Sequence, residues 1–168
     1  MLIDIYPDLF KILLIIVLLI CSALISGSEV AFFSLSKTDL KKISTSNTNN
    51  LKLIALLRSN PRRLLATLLV SNNFINISIV LLLASFGQLF NLVFLPSWLN
   101  FVLEVGFITA LILLFGEILP KVYANRKPIS FSKKMAFPVQ FIDKYLFFFI
   151  TIPMSKMTKF IQDKLVFK

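Results

Sequence analysis

Three long apolar blocks, of which the first two are separated by a stretch rich in lysine and arginine, constrain the fold of this chain more than any other feature of its sequence. An α-helix rises about 1.5 Å per residue, so about 20 apolar residues cross the hydrocarbon core of a bilayer. Each block is long enough, and 57% of the 168 residues are hydrophobic. The sequence predicts an all-α membrane protein with three transmembrane helices at about residues 9–35, 63–90 and 100–125. Asn60 followed by Pro61, an N-cap and a proline at the first helical position, predicts the start of the second of these helices.

The basic residues, which give the chain a formal net charge of +10, lie mostly in residues 37–63 and from Lys121 onward, and none lies in residues 87–100. Connections on the cytoplasmic side of membrane proteins carry an excess of lysine and arginine. We therefore expect a cytosolic connection at residues 37–62, an external N-terminus and a cytoplasmic C-terminus, in a multi-pass protein of the inner or plasma membrane. Because this arrangement accounts for the basic charge, the expected partner is the lipid bilayer and not nucleic acid.

The last part of the chain does not continue the pattern of the three blocks. Pro138, Asp143 and Lys144 interrupt it, and the apolar run that follows is too short to cross a bilayer. Apolar side chains nevertheless recur at helical spacing from Phe137 onward. This pattern predicts a juxtamembrane amphipathic belt helix at about residues 135–155, lying along the inner interface.

The residue types needed for several kinds of chemistry are missing from the sequence. Histidine is absent, and Cys21 is the one cysteine. Zinc centres and disulfide frameworks need several such residues, and covalent catalysis needs a nucleophile beside a base. We therefore expect that this protein is not an enzyme.

Each predicted span carries polar side chains or glycine at a comparable depth in the membrane. These positions are Ser22, Ser26 and Glu29 in the first span, Asn72 and Asn76 in the second, and Gly116 and Glu117 in the third. Hydroxyl, amide, carboxylate and carbonyl oxygens are hard ligands that suit Mg²⁺. Pro120 has no N–H and crowds the carbonyl four residues before it, so we expect it to free the Gly116 carbonyl as a further ligand.

The same residues are also compatible with a purely structural role. Serine and glycine allow membrane helices to approach closely, and asparagine forms hydrogen bonds between helices. Glu117 would then meet only Lys121 at the bilayer surface. The residues alone leave both interpretations open, a site for a hard cation and a set of contacts that hold helices together.

Three motifs occur in order along the chain: Ser-Gly-Ser-Glu at 26–29, Ser-Asn-Asn at 71–73 and Gly-Glu-Ile-Leu-Pro-Lys at 116–121. Together they resemble the transmembrane domain of the CorC/CNNM (cyclin M-like) family, and the resemblance covers nearly the whole chain. It implies three membrane helices with a belt helix, a homodimer, and export of Mg²⁺ coupled to Na⁺. By motif matching it implies a Mg²⁺ site formed by Ser22, Ser26, Asn72, Gly116 and Glu117. Secondary candidates for the site are Glu29, Asn73, Asn76 and Pro120.

The resemblance also bears on partners and on a second possible function. Members of the family carry cytosolic CBS domains that bind nucleotide, and we expect this chain to lack them. Some bacterial relatives are named for other processes, including gliding motility. Beside membrane transport of Mg²⁺, a non-transporting membrane anchor, assembly factor or regulatory factor is therefore the alternative function.

Overall fold

The computed structural model describes residues 5–45, 48–85 and 96–146 of the chain. Across these ranges every regular element is a helix and no strand occurs, which confirms the predicted all-α fold. In chain order the elements are α1 (Ile5–Phe33), α2 (Lys37–Thr45), α3 (Asn49–Ser59), α4 (Pro61–Ala84), α5 (Ser97–Leu111), a π-helical section (Ile112–Ile118), α6 (Leu119–Arg126), α7 (Pro128–Phe141) and a second π-helical section (Ile142–Leu146).

Three of the described helical segments are long and apolar enough to cross a membrane, as predicted. They are Leu9–Phe33, Pro61–Ala84 and the continuous segment Ser97–Arg126. Large apolar side chains cover their outer surfaces; Phe74, for example, is 64% exposed. A soluble monomer rarely leaves so much apolar surface uncovered, whereas lipid tails cover it in a membrane protein.

The second span begins where the sequence predicts a helix start. The Oδ1 atom of Asn60 accepts a hydrogen bond from the backbone N–H of Arg63 at 3.2 Å, and Pro61 is the first helical residue. Asparagine at the N-cap and proline directly after it are favoured because they satisfy or remove N–H groups that have no partner within the helix. The predicted Asn60–Pro61 boundary is confirmed.

The third span contains a π-helical section between two α-helical parts, which the sequence analysis did not predict. Within this section the hydrogen bonding shifts by one residue, so that the N–H of Leu119 donates to the carbonyl of Leu114. Pro120 follows immediately and cannot supply the α-helical donor for the carbonyl of Gly116. Such wide turns are rare and often occur at functional sites. Gly116 and Glu117 both lie in this section.

Two apolar clusters lie above and below the predicted polar positions. One joins the end of α1 to α3, α4 and α7, and includes Phe32, Ile54, Leu64, Leu68 and Val139. The other joins the three spans through Ile15, Ile79, Ile108 and Ile112. Ser22, Asn72 and Asn76 fall between the two clusters along α1 and α4, so the polar positions lie in the middle of the helix bundle.

The helix after the third span begins at Pro128, seven residues before the predicted start of the belt at about 135. Proline at the first helical position explains this earlier start, since its fixed φ suits a helix and its missing N–H costs nothing there. The helix packs against α1 and α3, while Phe137, Phe141 and Tyr145 are exposed together on one face. Residues 147–155 of the predicted belt and 86–90 of the predicted second span lie outside the described residues.

Candidate metal centre

Close contact between α1 and the third span depends on small residues. Ser22, Ser26 and Gly27 are buried on α1, and Gly116 is buried opposite them. A Cβ atom on Gly116 would lie 3.0 Å from the hydroxyl oxygen of Ser22. Glycine at 116 therefore lets the two backbones approach until the serine hydroxyl reaches the π-helical section.

Four polar side chains from the three spans form one hydrogen-bond network. The hydroxyl of Ser22 lies 2.7 Å from Oδ1 of Asn76 and 3.2 Å from Oδ1 of Asn72, and donates toward both. The amide nitrogens of Asn76 and Asn72 donate in turn to Oε1 of Glu117, at 3.0 and 3.2 Å. The structure thus brings together side chains that are up to 95 positions apart in the sequence, from 22 to 117.

Oxygen atoms in this network are spaced as they are around a small hard cation. In an octahedral Mg²⁺ site with metal–oxygen distances of about 2.1 Å, neighbouring ligand oxygens lie about 3.0 Å apart. The distances from the Ser22 hydroxyl to the two asparagine oxygens, 2.7 and 3.2 Å, lie on either side of that value. The Ser22 hydroxyl therefore already lies close to this separation from each of the two asparagine oxygens.

Glu117 supplies the negative charge of the network. Within the described part of the chain its hydrogen-bond partners are two neutral amides, so the network contains no positively charged side chain. A carboxylate at membrane depth is costly unless its charge is compensated. The site therefore combines one net negative charge with neutral oxygen donors, which is a combination that attracts a cation.

Ser26 adds a hydroxyl one helical turn along α1 from Ser22. Its side chain is buried, and its hydroxyl has no hydrogen-bond partner among the described residues. An unpaired buried hydroxyl costs about 1–3 kcal/mol. Its position beside the network and its free oxygen fit the predicted role of a ligand.

The remaining predicted residues lie outside the hydrogen-bonded network. Glu29 forms an ion pair with Lys121, with Nζ and Oε2 3.4 Å apart. Asn73 is exposed on the outer side of α4. The backbone carbonyl of Pro120 packs 3.3 Å from the position that a Cβ atom on Gly27 would occupy. Since Lys121 pairs with Glu29, the contact between Glu117 and Lys121 considered from the sequence is not observed.

Asn76 occupies a more central position than its secondary rank from the sequence suggested. Its amide group makes the shorter contact both with Ser22 and with Glu117. Its spacing from Asn72, four residues along one helix, was the sequence signal for this role.

Clusters of three or more histidine, cysteine, aspartate or glutamate side chains do not occur in the described ranges, so a metal here would rely mainly on neutral ligands.

Comparison with known proteins gives the family of this chain. The model of the cyclin M transmembrane N-terminal domain matches residues 13–166, which include every residue of the network. The chain belongs to the cyclin M transmembrane domain family. This membership confirms the resemblance carried by the three motifs, and with the three apolar helices it makes the chain a multi-pass membrane protein.

Three curated relatives of this cyclin M domain are about equally similar to it. The UPF0053 protein sll1254 of Synechocystis sp. is 30% identical over 130 residues, which are 76% of this chain and 36% of the relative. The metal transporter cnnm-4 of Caenorhabditis elegans is 31% identical over 137 residues, or 79% and 28%. The UPF0053 inner membrane protein YfjD of Escherichia coli is 29% identical over 121 residues, or 72% and 26%. The chain spans only 26% to 36% of the length of these relatives.

Proposed function

We propose that this chain is the membrane domain of a metal-ion transporter whose substrate is Mg²⁺. The observation that carries the proposal is the Glu117 carboxylate, which lies between three spans and is bonded to neutral amides. A mobile cation would compensate this charge and replace the amide hydrogen bonds. The name of the relative cnnm-4, a metal transporter, supports the same class of function.

The proposed ligands are oxygen atoms from all three spans. Ser22 and Ser26 supply hydroxyls, Asn72 supplies an amide oxygen, Gly116 supplies its carbonyl and Glu117 supplies a carboxylate. Asn76 offers a second amide oxygen at the same point, 2.7 Å from the Ser22 hydroxyl. Six oxygens satisfy Mg²⁺, and a single carboxylate holds the ion weakly enough for release, which transport requires.

Export coupled to Na⁺ is the direction and mechanism that the family resemblance favours. Na⁺ is also a hard cation that oxygen ligands suit, and it can compensate the charge of Glu117. Competition between the two ions for one carboxylate is a simple physical basis for coupling. We expect Na⁺ to weaken Mg²⁺ binding in the parent protein; additive binding of the two ions would contradict a shared site. The homodimer implied by the resemblance stays a prediction.

The proposed orientation places the N-terminus outside and the C-terminus in the cytoplasm of the inner or plasma membrane. It rests on the basic residues of the 37–62 connection and of the segment after the third span. With Cys21 replaced by serine, we expect an impermeant thiol reagent to label Ser97→Cys but not Thr48→Cys in intact cells. The opposite labelling pattern would invert the orientation.

Substitution of Glu117 tests the proposed transport site directly. Glu117→Gln keeps the shape of the side chain and removes the charge. Changes beside metal ligands cost about 10- to 100-fold in metal affinity, so loss of the charged ligand itself should cost at least about 100-fold. The measurement is the increase of the unfolding temperature with Mg²⁺ concentration in the purified chain, since a bound ligand stabilises the fold.

Glu104→Gln is the control for this experiment, because it removes a carboxylate from the same span three helical turns away from the site. We expect it to retain the Mg²⁺ response of the parent. If Glu117→Gln also retains that response, the ion site is not at Glu117 and this part of the proposal is wrong.

The non-transporting anchor is the second candidate function, and one observation favours it. Ser22, Asn72, Asn76 and Glu117 satisfy one another without an ion, as contacts that only hold helices together would. In that case the parent protein would show no stabilisation by Mg²⁺, and Glu117→Gln would alter only the unfolding temperature of the metal-free protein.

A further inference from the structure

A cavity of about 290 Å³ lies where α3, α4 and the end of the belt meet. Polar and charged side chains line much of it, namely Ser59, Asn60, Arg63, Gln140, Asp143 and Lys144. A second cavity of about 330 Å³ adjoins it and shares Gln140 and Lys144 with the first. The second cavity is aromatic, because Phe137, Phe141 and Tyr145 form the rest of its lining. We call the first cavity the polar chamber and the second the aromatic chamber.

Two of the three charged side chains in the polar chamber compensate each other, and the third, Lys144, leaves a net positive charge. Arg63 forms a bidentate ion pair with Asp143, with Nε–Oδ1 and Nη2–Oδ2 distances of 2.9 and 2.6 Å. The hydroxyl of Thr67 donates a further hydrogen bond to Asp143 at 2.6 Å. The negative charge of Asp143 is therefore already compensated by Arg63. Lys144 is exposed, and its ammonium group lies 5.3 Å from the centroid of the Tyr145 ring, so it remains as the net positive charge of the chamber.

The position of the chambers matches the boundary between water and lipid. The polar chamber lies at Asn60, directly before the first residue of the second span. The aromatic chamber lies on the face of the belt whose Phe137 and Tyr145 side chains are 66% and 64% exposed. Aromatic side chains and lysine are typical of this boundary, where the apolar part of a side chain contacts hydrocarbon and its charge stays in water.

We propose that the two chambers bind one anionic phospholipid. Its phosphate lies against Lys144 and the side-chain N–H groups of Asn60, because the Ser59 hydroxyl already donates to the Leu56 carbonyl at 2.6 Å. An acyl chain lies along Phe137 and Phe141. The positive charge and the adjoining aromatic groove require a ligand that is anionic at one end and apolar at the other. A bilayer supplies such a molecule, whereas free phosphate has no apolar part to occupy the aromatic chamber. The proposal does not depend on the transport function.

Thermal unfolding of the purified chain in neutral detergent tests this site. The unfolding temperature is measured during titration with phosphatidylglycerol, phosphatidylcholine of the same chain length, or inorganic phosphate. We expect phosphatidylglycerol to stabilise the chain at lower concentration than phosphatidylcholine, and phosphate to have no effect. Lys144→Gln should weaken phosphatidylglycerol binding about fivefold, which corresponds to about 1 kcal/mol for one lysine near an anionic surface. Phe141→Ala should weaken the binding of both lipids.

Lys134→Gln is the matched control, since Lys134 on α7 is exposed like Lys144 but lines neither chamber. It should leave phosphatidylglycerol binding unchanged. An equal loss in Lys134→Gln and Lys144→Gln would mean that the lipid responds only to general surface charge, and would overturn the proposal. Stabilisation by phosphate alone, or no preference between the two lipids, would also overturn it.

Discussion

Two carboxylates, Glu117 and Asp143, lie between helices of this molecule, and their partners differ in kind. Asp143 receives a bidentate contact from the Arg63 guanidinium and a hydrogen bond from Thr67, which joins the belt to the second span. Glu117 receives only the amide N–H groups of Asn72 and Asn76. One carboxylate has a cation fixed in the protein, and the other has neutral dipoles.

This difference separates a structural role from an exchangeable one. The charge of Asp143 is neutralised permanently, so an ion arriving from solution gains little by approaching it. The charge of Glu117 is only solvated by amides, which can exchange their contact for a cation. Each carboxylate accepts hydrogen bonds from two side chains, so the number of these partners does not distinguish the two carboxylates, whereas the charge of the partners does. The predictions below test this distinction, beginning with the largest expected effect.

Asp143→Asn should destabilise the protein without changing its affinity for Mg²⁺. Removing one member of this partly buried ion pair leaves the other charge uncompensated, and such changes cost about 1–3 kcal/mol. The unfolding temperature of the metal-free protein should fall clearly, while the Mg²⁺ concentration that gives half of the stabilisation should stay the same. The double variant Arg63→Met, Asp143→Leu is the control, and it should recover much of the lost stability. A parallel loss of Mg²⁺ affinity in Asp143→Asn would show that the two carboxylates are coupled.

Gly116→Ala should weaken Mg²⁺ binding through geometry and not through charge. The added Cβ atom would lie 3.0 Å from the Ser22 hydroxyl, so either the hydroxyl or the third span has to move. We expect about a tenfold loss of affinity, at the lower end of the range for changes that displace metal ligands. Titration with Mg²⁺ measures it.

Gly106→Ala is a matched control for this substitution. It lies on the same span, and a Cβ atom there meets no atom within 4 Å. It should leave the affinity unchanged. If Gly116→Ala binds Mg²⁺ as tightly as Gly106→Ala does, the close approach of α1 to the third span is not required for the site.

Sequence periodicity predicted which residues share a face of one helix. The positions of several site residues follow from this periodicity. Asn72 and Asn76, four residues apart, both point into the bundle, as their spacing indicates. Asn73 follows Asn72 directly, and one residue turns a helix by about 100°, which explains why its side chain is exposed outside. The capping residue Asn60 was predicted for a similar reason, because a cap depends on its nearest neighbours.

Contacts between helices were not predictable in the same way. The pairing of Arg63 with Asp143 joins residues 80 positions apart, and it depends on how the belt is rotated against the second span. The pairing of Lys121 with Glu29 likewise depends on the rotation of α1 against the third span. Periodicity within one helix contains no information on this rotation. The π-helical section was missed because Pro120 indicates a missing hydrogen bond but not how the backbone accommodates it.

The smallest expected effect concerns Glu29, a third carboxylate that tests the rule derived from the other two. It lies on α1 one turn beyond Ser26, and Lys121 provides its cation at 3.4 Å. Its side chain is 29% exposed and that of Lys121 is 36% exposed, and ion pairs this accessible contribute only about 0–1 kcal/mol to stability. Because its charge is already neutralised, Glu29→Gln should change the Mg²⁺ affinity by less than about threefold, a difference below 1 kcal/mol.

Lys121→Gln provides the complementary measurement, since it leaves Glu29 without its cation. If the rule is correct, Lys121→Gln should raise the Mg²⁺ affinity slightly, because a second uncompensated carboxylate then lies near the site. A loss in Glu29→Gln as large as that expected for Glu117→Gln would mean that a fixed cation does not exclude a carboxylate from the ion site.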